Sequence, residues 1–130
     1  MSLLAPTSPG DFLDKLTILE IKAERISDPA KLENVRRELG LLRATWNDSP
    51  LAAREVSVLV AELKAVNLAL WEIEDRIRGK EAARAFDAEF VEFARSVYRT
   101  NDRRAALKRE LNLALGSEII EEKSYSDYEG

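Results

Sequence analysis

Arg104 and Lys108, one helical turn apart in "VYRTNDRRAALKREL" (97–111), are the side chains best suited to hold an anion. At about 100° per residue, the wheel of this stretch sends Phe86, Phe90, Phe93, Val97, Leu107, Leu111 and Leu115 in one direction. Arg104 sits at the centre of that apolar direction, and Thr100, Asn101 and Lys108 flank it. A guanidinium is a planar fork matched to carboxylate or phosphate. Turned toward a core without a partner it is very costly, so something anionic must meet it. Either internal acids pair with these cations and fix helix register, or Asn101, Arg104 and Lys108 hold a small phosphate or carboxylate in a cleft between helices. Glu55, Glu74 and Tyr98 are the candidate polar partners of that site. A further alternative ends the helix near Thr100 or Asn101, poor helix formers and good caps, and opens a new N-terminus there.

Other chemistry is narrowed by absence. The chain has no Cys and no His, which removes thiol chemistry, Cys-ligated zinc and the commonest acid/base group. Catalysis would then rest on electrostatic stabilisation. Glu72–Asp75 and Glu89–Glu92 have helical ligand spacing but point away from the apolar stripes, so no metal site is expected. None of the five glycines forms a phosphate-cradling loop, and no cofactor is expected. Arg95, Arg99 and Arg103 climb the opposite face at four-residue spacing. They read either as a solvated face or as a docking surface for an acidic partner or for this chain's own tail.

The elements that must position these residues are helices. "SPGD" (8–11), "DP" (28–29) and "SP" (49–50) each place a capping side chain before proline, the signature of a helix start. The first helix, about 9–26, carries Phe12, Leu16, Leu19, Ala23 and Ile26. Ile18 and Ile21 fall outside that arc, so it must touch more than one neighbour. The second, about 29–46, carries Leu32, Val35, Leu39, Leu42 and Trp46. The third is expected over about 50–78, with Leu59, Leu63, Val66, Leu70, Ile73 and Ile77, and Gly79 as its stop. The fourth begins somewhere in 80–88, with Asp87 a candidate cap, and ends at Leu115 before Gly116. No strand pattern is present. The expectation is an all-α fold: a long antiparallel helical hairpin with two shorter helices packed on it, a coiled-coil-like four-helix bundle. Folding the hairpin about 79–85 sets residues 55–63 opposite Arg104 and Lys108. That predicts a Glu55–Lys108 or a Glu62–Arg104 pair, with Lys15 and Lys22 placed to meet Glu74.

The 130 residues suit one domain, read as 1–116 followed by an acidic tail, 117–130. The tail has five carboxylates against Lys123, which accounts for the whole net charge of −4 and leaves a neutral body. A neutral body argues against nucleic-acid binding. No apolar run is long enough for a membrane span. "MSLLAPTSPG" lacks the basic start and apolar middle of a signal peptide, so a cytoplasmic protein is expected. A homodimer or a protein partner is expected from the long seams.

Three segments together, "SPGDFLDKLTILEIKAERI" (8–26), "LWEIEDRIR" (70–78) and "FARSVYRTNDRRAALKRELN" with "GSEIIEEKSY" (93–125), resemble a family of short, all-helical bacterial proteins of unknown function. The resemblance runs nearly end to end. It implies a bacterial source and assigns no activity or catalytic residue.

Overall fold

The computed structural model describes residues 1–124. Four α-helices follow one another: α1 (Pro9–Arg25), α2 (Pro29–Asn47), α3 (Ser57–Ala82) and α4 (Ala88–Ala114), with a 3-10 turn at Pro50–Ala53 between α2 and α3. No strand occurs among the described residues. No helix there is long and apolar enough to cross a membrane.

The helix ends follow from local chemistry. Ser8 and Asp28 accept hydrogen bonds from the amides of Asp11 and Lys31, with proline in the first turn of each helix. Asp87 caps α4 through the amide of Phe90. The third proline departs from expectation. Ser49 caps only the 3-10 turn, and α3 starts seven residues later than Pro50, at Ser57. There Glu55 takes the capping role, accepting from the Ser57 amide at 2.9 Å and from the Ser57 hydroxyl. Gly79 does not stop α3, which runs on to Ala82. The stop is Arg84, in the left-handed region at φ 53°. The amides of Arg84 and Ala85 return to the carbonyls of Glu81 and Lys80, a Schellman closure made without glycine. Gly116, at φ 66°, ends α4 in the same way, with Ser117 N–H donating to the Asn112 carbonyl at 2.8 Å. α4 is continuous through Thr100 and Asn101, so the alternative of a break there is not realised. Each residue of that stretch keeps its helical bond, and the helix outweighs their individual preference for caps.

α1 is the central element: it packs on α2, α3 and α4, while α2 packs only on α1 and the 3-10 turn. The expectation that both shorter helices lie on the longer pair is therefore corrected; α2 forms an outer layer on α1. Phe12 of α1 stacks on Trp46 of α2, with ring centroids 6.2 Å apart. Glu20–Arg43 and Lys15–Glu38 ion pairs rim the same interface. Between α3 and α4 the ion pairs are Glu62–Arg103 and Lys80 with Asp87 and Glu89. Residue numbers thus fall along one helix as they rise along the other.

The core is confined to one end. Leu13, Leu63, Leu107, Leu111 and Leu115 form the buried cluster. On α1 the last ties to α3 are Glu24–Lys64 and Arg25–Glu72. Beyond Glu72, no residue of α3 is buried, and none of α4 is until Leu107. Phe86, assigned from the wheel to the buried direction, precedes α4 and is 58% exposed, lying edge-on to Phe90. A wheel extended from the helix assigns a direction to a residue that the turn has already released.

Candidate functional site

Arg104 does turn inward, but its partner comes from α1. Its Nε and Nη2 both donate to Asp14, at 2.9 and 2.5 Å. Asp14 is 5% exposed and so takes a charge into the body of the protein. It is fully engaged: Oδ1 also accepts from Asn67 Nδ2 of α3 at 2.9 Å. Asn67 donates as well to Thr17 Oγ1 at 3.0 Å, and the Thr17 hydroxyl donates to the Asp14 carbonyl at 2.8 Å. Three helices therefore meet on one carboxylate. Among the described residues no buried side-chain polar atom lacks a partner.

The α1 face that makes this possible is small or polar over its first two turns and apolar at Ile21. Gly10, Asp14, Thr17 and Ile21 fall at helical spacing on one side, and all four are buried. Gly10 brings α1 against α4: its amide donates to Asn112 Oδ1 at 2.7 Å. A Cβ at Gly10 would stand 2.5 Å from the Lys108 carbonyl oxygen, so only glycine permits the approach.

Lys108, one turn on from Arg104, reaches Asp11 at 2.9 Å and Glu121 of the tail at 3.2 Å. Burial alone would lower its ammonium, but the bonds to Asp11 and Glu121 hold it above the ordinary lysine value. The Asp14 hydrogen bonds likewise hold the Arg104 guanidinium in its charged form, above its usual range. Beside Lys108 a cleft of about 260 Å³ opens between α4 and the tail, lined by Ala105, Ala106, Arg109 and Asn112 on one side and Ile120–Lys123 on the other.

The predicted site is thus brought together in part. Arg104 and Lys108 share one neighbourhood, but the acids that meet them are Asp14 and Asp11, not Glu62 and Glu55. The error is angular: Arg104 faces the α1 side of α4, and its neighbour Arg103 takes Glu62 at 3.1 Å. Glu55 is exposed and caps α3. Glu74 is exposed, and Lys15 pairs with Glu38 of α2 instead. Asn101 is half-buried, three residues before Arg104. Tyr98 is exposed and bonds Arg95. Arg95 and Arg99 share one carboxylate, Glu92, at 3.6 and 3.2 Å, so the arginine ladder is only partly compensated. The tyrosines that tip the tail, Tyr125 and Tyr128, lie outside the described residues. The sequence turns Asn67 toward the apolar side of α3, and there it is buried on Asp14 and Thr17; sequence reasoning missed Asp14, Thr17 and Asn112. The available signal was the Gly10–Asp14–Thr17 spacing, hidden because the apolar stripe of α1 runs through Phe12, which meets Trp46 of α2, and away from Asp14.

Chemically, this arrangement holds helices together and offers one cationic edge at Lys108 and Arg109. Among the described residues no group of acids is placed to hold a metal ion. A family model described as a family of unknown function matches residues 5–128. No curated protein and no solved structure matches the chain.

Proposed function

The chain belongs to that family, DUF6165, and from its geometry we propose that it works as a non-enzymatic helical interaction module whose first partner is a second copy. The observation that carries this reading is the contrast along α4. The guanidinium best suited to a ligand already has both of its inward donors on Asp14. Meanwhile the far end of α3 and α4 leaves Phe86 58% and Val91 52% exposed. In this reading α3 and α4 are one long antiparallel hairpin, residues 1–116 form the domain, and 117–130 are its acidic tail. The hairpin beyond Glu72 is an arm. Ile73, Ile77, Phe90 and Phe93 continue the apolar stripe there, with no third helix over it among the described residues. Arg76, whose guanidinium lies 5.6 Å over the Phe93 ring, and Arg78 stand beside Glu74 and Asp75, so two arms can align opposite charges. Such a dimer is the isologous, closed arrangement usual for small proteins.

Sedimentation equilibrium tests it. The unchanged chain should run as a dimer and the Phe86→Glu/Phe90→Glu chain as a monomer with unchanged helical circular dichroism. A monomeric unchanged chain, or a dimer that tolerates both substitutions, overturns the assignment.

A further inference from the structure

The cleft beside Lys108 lies on the half of α4 away from the arm, and its chemistry is independent of any dimer formed there. Its α4 wall is built from Ala105, Ala106, Arg109 and Asn112, with Lys108 at the edge. Two small residues leave a trough, and two cations border it. The opposite wall is the chain's own extended segment Ile120–Lys123. Glu121 reaches Lys108 at 3.2 Å and Glu122 reaches Arg109 at 3.5 Å. The hold is slight. Glu121 is 51% and Glu122 78% exposed, and ion pairs so placed contribute little. Ile119 and Ile120 stay 44% and 36% exposed, so the segment is laid over the trough and not packed into the core. Lys108, by contrast, keeps its second acid, Asp11, whether or not the segment is present.

We propose that this trough on α4 is a recognition site for an extended acidic segment of a partner protein, an apolar residue followed by two carboxylates, and that residues 119–122 are its tethered mimic. The mimic shows the chemistry the trough accepts. Charge complementarity supplies the selection: Arg109 offers a fork to one carboxylate and Lys108 a point charge to the next. A neutral body with its anions gathered in the tail places the competing charge on the same chain, so the partner must displace a weak cover to bind.

The test uses the full chain and a dye-labelled peptide of its own residues 117–124, SEIIEEKS, read by fluorescence anisotropy. A short flexible tether gives an effective concentration on the order of millimolar. A peptide of roughly 100 µM intrinsic Kd is therefore weakened about tenfold by the resident segment. Glu121→Gln/Glu122→Gln should remove that competition and tighten peptide binding about tenfold. Adding Arg109→Gln to this chain should abolish the gain, and the peptide with Gln for both of its last two glutamates should not bind. Arg109 is exposed and outside the Asp14 network, so its loss leaves folding intact, with unchanged circular dichroism as the control. Equal peptide binding by the unchanged and Gln-substituted chains overturns the proposal. So does a gain that survives Arg109→Gln, equal binding of the Gln peptide, or full displacement of the peptide by an equal concentration of inorganic phosphate.

Discussion

The two ends of the α3–α4 pair share helices, apolar spacing and abundant charge, yet they differ in what those features do. At one end α1 supplies a third helix, and Leu63, Leu107 and Leu111 reach zero exposure around a satisfied carboxylate. At the other end the same stripe continues through Ile73, Phe90, Phe93 and Val97, and nothing beyond Glu72 on α3 is buried. The difference is the reach of α1, which ends at Arg25. An apolar stripe on a helix states a capacity for burial; the neighbour decides whether the capacity is used. The polar residues follow the same division. Arg104, paired inside, locks three helices, whereas Arg95 and Arg99 share Glu92 at the surface, where such pairs contribute little.

The comparison breaks most sharply at Asp14. Asp14→Ala strands the Arg104 guanidinium and should cost about 3 kcal/mol in urea unfolding, in the range for a broken buried pair. Restoring neutrality with Arg104→Met in the same chain should recover at least half, since the cost lies in the uncompensated charge and not in the missing bond. Gly10→Ala comes next. The added methyl meets the Lys108 carbonyl as well as the Asn112 side chain; the backbone cannot give way, so the change should cost about 1–3 kcal/mol by forcing α1 off α4. On the arm, Arg84→Gly should stabilise by up to about 1 kcal/mol, because a side chain there holds a left-handed backbone that glycine adopts freely.

A pH titration sharpens the contrast with the smallest effect. The Lys108 pKa is raised on folding above its ordinary 10.5. A raised lysine contributes stability that is complete below the unfolded value and disappears as pH climbs through the folded one. Melting temperature should therefore fall more steeply above about pH 10.5 in the unchanged chain than in Lys108→Met, and the two curves should run parallel below it. Parallel curves throughout would place the ammonium in solvent.

Much of this was legible in the residues. Ser8, Asp28 and Asp87 announced their helices because a cap is a local event, decided within four residues. Gly116 announced the end of α4 for the same reason. Pro50 misled because proline at a helix start fits a single 3-10 turn equally well. The inward direction of Arg104 was also legible, from the wheel alone. Its partner was not. Direction on one helix leaves open which neighbour stands there, and the sign of charge could not choose among Glu55, Glu62 and Asp14. Asp14 escaped notice because it lies among Gly10 and Thr17, small residues that carry no hydrophobic signal, while the apolar stripe of α1 drew attention to Phe12 and the side that meets Trp46 of α2.

Native-state hydrogen exchange along α4, in dilute solution where any dimer is dissociated, tests the division most directly. Amides from Arg104 to Asn112, under α1, should exchange only through global unfolding, and those from Val91 to Val97 through openings of much lower free energy. Equal protection along the whole helix would contradict the account, because the arm would then be as firmly held without α1 as the base is with it.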